Sequence, residues 1–514
     1  MPDTQVGFQT IDFLIVFLYL VLVAIIGSFA GGKQRTMKDY FLGSSNIPWW
    51  AVAFAVVAAE TSTLTFISIP GLAYVTNLNF LQVTIGYLIG RIIVSFIFLP
   101  AYKKGELVTA YALLETRFGR STRSYASIVF LFTRVAADGV RLFATSIPLA
   151  IIFRSFPFFA GWSPLQIYSL SILIITLVTM VYTYTGGVKG IIWVDVLQMV
   201  IYLGGAILAL IILFKRVPGG LAAVGQFSNG TDKFALINWG FNGGLKGFFA
   251  TPYTLIGSLV GGMFLSMASH GTDQLIVQRL LTTKTLRDSQ KALIASGVIV
   301  IIQFALFLLV GLMLFAYYQG MPVGAGRLFG KPDEIFPYFI IHNLPVGVRG
   351  IIIAGLFAAA MSTLAGSISS LSSSAMMDLY KPYFAHKIDP SKELKISRLL
   401  TIFWAIVLTA VAFLFINILQ SVVEIALGIA SITYGGLLGT FLLGVLFRRI
   451  NQKAAIYGFS SGILAMLIFI VLPIILGKPP IVHWTWFTLI GCTVTLLAGN
   501  LAESMIRKKV DKTA

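Results

Sequence analysis

Residues 55–74 read AVVAAETSTLTFISIPGLAY. The flanks are those of an apolar helix, yet Glu60, Thr61, Ser62, Thr63 and Thr65 stand in its middle, and the tripeptide IPG follows at residues 69–71. An ionisable side chain at the centre of a bilayer costs at least about 2.5 kcal/mol on insertion scales. Clustered hydroxyls also offer the backbone alternatives to the helical ladder. The stretch predicts a membrane helix broken over its Thr/Ser run and IPG, with Glu60 to Thr65 at a wet site, where acid, hydroxyls and freed carbonyls have partners other than lipid.

The surrounding chain supplies the bilayer. Of 514 residues, 57% are hydrophobic and 11% charged, with a mean hydropathy of +0.91, far from the balance of a soluble globular chain. Apolar runs long enough to span about 30 Å of hydrocarbon begin near Ile11, Trp49, Phe80, Tyr125, Leu165, Ile191, Thr254, Ala292, Phe336, Leu399, Val422, Ala455 and Trp484, which makes 13 spans, numbered here zero to twelve. The first, from Ile11 to Ala30, lacks a basic lead and a small-residue cleavage site, so it reads as a retained helix and not a signal peptide. The single cysteine, Cys492, lies in an apolar run and reads as a small buried hydrophobe, with no disulfide or redox role.

A net charge of +18 raises the question of a nucleic-acid partner, and the placement of the basic residues answers it. With the amino terminus outside, the inside loops hold 25 Lys and Arg, the outside loops 9, and Arg91, Arg134 and Arg141 fall within spans. Such a bias orients a membrane protein with its basic loops in the cytoplasm. The expectation is an integral protein of the cytoplasmic membrane, amino terminus outside and carboxy terminus inside. Its positive charge faces anionic lipid and not nucleic acid.

The run FKRVPGGLAAVGQFSNGTDKFALINWGFNGG, residues 214–244, is the longest external connection. It separates spans one to five from spans six to ten. Five is odd, so the second set enters the membrane from the opposite side, the inverted arrangement in which transporters bind solute at discontinuous helices near the midplane. Span six carries IGSLVGGMFLSMASHGTDQ at residues 256–274, with Ser266, Ser269, His270 and several glycines, a second candidate broken helix at the place corresponding to span one. The expected organisation is an extra helix and inner loop at 1–45, a first repeat at 46–216, the external loop at 217–250, a second repeat at 251–450, and two further helices with a basic tail at 451–514.

Three polar groupings stand inside the spans. Arg134, Asp138 and Arg141 share one helical face at spacings of four and three, which suits either a structural ion-pair cluster or, for Asp138 and Arg141, a solute site. Arg91, close to the inner end of span two, is expected to snorkel to the interface. Span eight reads GLFAAAMSTLAGSISSLSSSAMMDLY at residues 355–380. Its hydroxyls fit close helix packing or, with carbonyls freed by a broken span one, the neutral oxygens a sodium ion takes.

These stretches are similar to those of a known family. AAETSTLTFISIPGLAY (58–74), TYTGGVKGIIWVDVLQ (183–198), GTDQLIVQRLLTTK (271–284) and FAAAMSTLAGSISSLSSSAMMDLY (357–380) resemble, in order and spacing, the first, fifth, sixth and eighth core helices of the sodium:solute symporter family. The resemblance covers about residues 8 to 505. It implies an all-α polytopic protein with the five-plus-five inverted core of the leucine transporter-like fold. It also implies a main sodium site made by the carbonyls of Ala58, Thr61 and Ala359 with Ser362 and Thr363, and sodium as the coupling ion. Some members bind a second sodium through the acid matching Asp195, for which a structural or coupling role is the alternative. The family's solute positions match Glu60, Ser62, Thr65, Ser266 and Ser269.

Where the family's sialic acid transporters place an arginine on helix three, this chain has Ala137; the sugar transporters' gate on helix six matches Ser269 and their helix one glutamine matches Thr65. A Glu60 facing the pocket would repel an anion, so a sugar, a polyol or a similar neutral nutrient is the expected solute, carried by a protein working as a monomer. A channel or solute sensor on the same fold is the alternative. Enzymatic and ATP-driven functions find no support, since His270, His342, His386 and His483 are scattered and neither HExxH, GxSxG nor GxxxxGK[ST] occurs.

Overall fold

Apolar runs without flanking water have one economical way to satisfy their backbone, the helix, and the computed structural model is built of helices accordingly. It describes residues 8–511 apart from 106, 155, 229, 241–243, 385–389, 417–421, 448 and 478–481. Helix α1 is Thr10–Ala30, α2 Trp49–Glu60, α3 Thr63–Val75, α4 Leu81–Ile97, α5 Arg120–Arg154 and α6 Pro164–Arg216. After the external connection come α7 (Leu255–Gly271), α8 (Gln274–Leu281), α9 (Leu286–Tyr317), α10 (Val348–Ser374), α11 (Pro390–Leu414), α12 (Val422–Leu446), α13 (Gln452–Ile475) and α14 (Phe487–Asp511).

Among the described residues nine helices are long and apolar enough to cross a membrane, or ten when the bent pair α2 and α3 is taken as one span. The count of 13 is not reached on this measure, for identifiable reasons. Spans four and five run together as the 53 residues of α6, folded back at Gly187, whose φ of 56° and ψ of −162° are not helical. A Cβ at Gly187 would also lie 2.7 Å from the Tyr40 carbonyl, so glycine is required there both for conformation and for space. The α7 and α12 regions present only shorter apolar helices. Span eight begins at Val348, not near Phe336, because Ile335–Asn343 is a separate short helix.

The expected interruption of span one is present but displaced from IPG. Helices α2 and α3 are bent by 65° at Thr61 and Ser62, both extended, while Pro70 sits inside α3. The hydroxyl run decides the position: Ser62 Oγ accepts the Thr65 amide at 3.4 Å and starts the new helix. IPG serves packing instead. The Pro70 carbonyl lies so near Gly311 that a Cβ there would come within 2.2 Å, and Gly71 lies equally tight against the Pro332 carbonyl. The break of span six is present too, with α7 ending at Gly271 and Asp273 capping α8 by accepting the Leu275 amide at 2.9 Å.

Helix α1 docks on α6 through glycines: Gly27 and Gly31 meet Gly186 and Gly190 so closely that a Cβ on any of them would collide, the small-residue contact that draws membrane helices together. Its buried Asp12 accepts the Gly347 and Gly350 amides at 2.7 and 3.2 Å and pairs with Arg349 at 2.9 Å. Arg349 and Arg279, counted above as loop charges, are therefore buried partners of acids. Without them the basic count is 24 inside against 8 outside, and the asymmetry stands. Of the other counted residues, Lys387, Arg448, Lys478 and Lys512 lie outside the described residues, as does His386. Cys492 is buried, as expected.

Candidate functional site

The broken helices and α10 converge. With Thr61 and Ser62 extended, the carbonyls of Ala58 and Ala59 lose the amides four residues on that a continuous helix would give them. Against them lies the middle of α10, where Thr363 Oγ1 donates to the Ala359 carbonyl at 3.2 Å and reaches the Ala59 carbonyl at 3.5 Å. Thr61 Oγ1 accepts from Gln303 Nε2 at 2.7 Å, and the Gln303 carbonyl oxygen accepts from Tyr202. Ser362 Oγ donates to Asp195 Oδ1 at 2.6 Å, which leaves its lone pairs turned away from the acid. The segments expected to hold sodium thus meet, α2 through the Ala59 carbonyl, one residue past the expected Ala58, and α10 through Thr363. They offer neutral carbonyl and hydroxyl oxygens, one of them polarised by a carboxylate, a set that fits a hard monovalent cation.

A cavity opens beside this point, lined by Ser62, Thr63, Asp138, Arg141, Thr145 and Thr363 among others. Thr363 therefore belongs both to the cavity wall and to the expected ion set. The Arg134, Asp138 and Arg141 cluster forms as its spacing implied: Asp138 pairs with Arg141 at 2.8 Å and Arg134 at 3.4 Å, and Ser367 Oγ donates to it. Arg134 also pairs with Asp273 at the break between α7 and α8, and Tyr434 of α12 donates to the same carboxylate at 2.9 Å. These two partners were missed from the sequence, although an aspartate just ahead of an apolar run is a recognisable helix-start signal. Arg141 keeps 24% of its side chain exposed, the most open arginine of the cluster.

The remaining solute candidates lie apart from that cavity. Glu60 is held by Arg91, whose other arm donates to Ser296 at 2.7 Å, and His270 Nε2 stands 3.6 Å from the same carboxylate. Arg91 is fully buried and does not snorkel, because the acid one helix away compensates it where the interface would have had to. Any solute contact by Glu60 is made beside this guanidinium. Ser269 Oγ bonds His270 Nδ1 at 2.8 Å, Ser266 is buried, and Thr65 bonds Ser62 at 3.4 Å. Lower on α10 the hydroxyls follow the packing reading: Ser369 and Ser373 accept from Gln278 and Gln274 of α8, each at 3.1 Å.

Two interrupted spans at corresponding positions, with neutral oxygens facing a polar cavity, are the architecture of a secondary transporter. Residues 40–462 match the sodium:solute symporter family. The chain is 29% identical to the sodium/sialic acid symporter SiaT of Proteus mirabilis, over 90% of this chain and 89% of that one, and 27% identical to the sodium-coupled monocarboxylate transporter 1 of Xenopus laevis, over 90% and 72%. A solved structure of a sodium-coupled sialic acid symporter in a substrate-bound outward-open state superposes with a TM-score of 0.82 at 27% identity, covering 97% of this chain and 98% of that one. The chain belongs to the sodium:solute symporter family. It is a sodium-coupled membrane symporter with the leucine transporter-like fold, not an enzyme.

Proposed function

We propose that the solute is a small organic carboxylate, taken up with sodium by alternating access, and that Arg141 is its anchor. The observation that carries this reading is the partly exposed side chain of Arg141 in the wall of the same cavity as Ser62 and Thr363. One of its five donors is engaged by Asp138, and the others suit a carboxylate bidentately. Arg141 lies one helical turn beyond Ala137, so the charge absent from that position stands next to it on the same face. The relatives named above carry carboxylates by their names, which supports the reading. The sugar or polyol expectation rested on an uncompensated Glu60, and Arg91 removes that objection to an anion.

In this mechanism sodium bound between α2 and α10 fixes Thr363, and with it one wall of the cavity, before the solute arrives. The pair binds better together than either alone. The test is uptake of labelled pyruvate and sialic acid into proteoliposomes. Arg141→Gln should weaken the apparent affinity for the transported acid by about ten- to a hundredfold, the loss of a charge-assisted hydrogen bond, while sodium still raises the melting temperature. Equal affinity in variant and wild type would remove Arg141 from the site.

A further inference from the structure

Asp195 lies fully buried on the second arm of α6, and the role of a second sodium site there can be tested against its surroundings. Its Oδ2 accepts from both Nε and Nη2 of Arg279, at 3.1 and 3.0 Å. Its Oδ1 accepts from Ser362 at 2.6 Å. The last nitrogen of Arg279, Nη1, donates to the Leu275 carbonyl at 2.9 Å, one turn earlier on α8, so the guanidinium is held from both ends.

The α10 surface next to it is shaped for that group. A Cβ on Gly366 would stand 2.7 and 2.8 Å from Nη2 and Nη1, so a side chain at 366 would displace the guanidinium from the place it holds here. Ala365 beside it carries no side-chain oxygen, and the next hydroxyl, Ser367, shares its one proton between Asp138 and the Thr363 carbonyl. A sodium at Asp195 would need several oxygens. Both carboxylate oxygens are engaged, and the space beside them holds a permanent cation. The residues present do not fit a second ion.

We propose that Arg279 is a tethered cation occupying Asp195 in place of a second sodium, so that this chain binds one sodium, at the site of Ser362 and Thr363. The proposal rests on the sodium-symport reading. Asp195 then acts as a positioning residue: it accepts the Ser362 hydrogen bond and so aims that hydroxyl's lone pairs at the ion, and Arg279 keeps the acid in place. Because Arg279 belongs to α8 and Ser362 to α10, the pair also ties the broken helix to the sodium site.

Equilibrium binding of radiosodium to the purified full-length protein, without solute, tests this. Wild type should bind one ion per chain. The neutral pair Asp195→Asn with Arg279→Gln should still bind one, since asparagine keeps an acceptor for Ser362. Ser362→Ala should raise the half-saturating sodium concentration at least fivefold. Two ions on the wild type, or loss of the ion in the neutral pair, would overturn the proposal, and the wild-type count decides even if the double variant fails to fold. No saturable sodium binding by the wild type would be a different failure, that of the symport reading itself.

Discussion

Glu60 shows what a sequence can and cannot tell about a single residue. That an acid in an apolar run needs a partner follows from its desolvation cost; which partner it takes depends on the helix opposite. The sequence left Glu60 facing the pocket, and the structure supplies Arg91, 31 residues on and in a helix whose register no local pattern fixes. Breaking a buried ion pair by neutralising one side costs roughly 3–5 kcal/mol, because the other charge is left uncompensated; the 21% exposure of the Glu60 side chain places the expected loss at or below the low end. Glu60→Gln should therefore lower the melting temperature of the solute-free protein, and adding Arg91→Gln should recover part of the loss. Native stability with a collapse in solute affinity would instead put Glu60 in the binding site. The sodium positions at Ser362 and Thr363 were expected from the family resemblance of the α10 stretch, since a hydroxyl run fits helix packing equally well. Arg279 was not, because an arginine near the end of an apolar stretch reads equally as a loop charge until the fold sets it beside Asp195.

At the scale of elements, the two broken spans were legible and their geometry was not. The sequence offered two features for the first break, the hydroxyl run and IPG, and Pro70 instead sits inside α3. The Thr-Ser-Thr run moves the break to Thr61 and Ser62, where a side-chain oxygen caps α3. This placement brings the carbonyl of Ala59 to Thr363. The second break owes its position to Asp273, which caps α8 and at the same time receives Arg134 and Tyr434. One residue thus fixes the end of a helix and joins it to α5 and α12. The TGGVKG turn was legible as a family motif, but its role as a fold-back within one 53-residue helical element appears only with the positive φ of Gly187.

For the whole molecule, composition and charge placement were sufficient to predict a polytopic helical membrane protein. Family motifs carried the transporter fold. Solute identity was the least legible property, because it depends on which charges face the cavity and which are cancelled behind it. Orientation belongs to this scale as well. With 24 basic loop residues against 8, the external connection should face outward, so a cysteine replacing the exposed Thr231 should react with an impermeant thiol reagent on intact cells, and one replacing the exposed Lys38 should not. The buried Cys492 leaves little background. The reverse pattern would invert the topology.

The central claim is that an inward sodium gradient drives solute uphill through the site shared by α2, α10 and the Arg141 cavity. Its most direct measurement is the accumulation of labelled pyruvate or sialic acid in proteoliposomes under that gradient. The account predicts internal solute rising above the external concentration, collapse of that excess on adding a sodium ionophore, no accumulation when potassium replaces sodium, and a severalfold higher sodium requirement in Ser362→Ala and Thr363→Ala. Uptake that stops at equal concentrations on both sides, or that proceeds equally well in potassium, would contradict it.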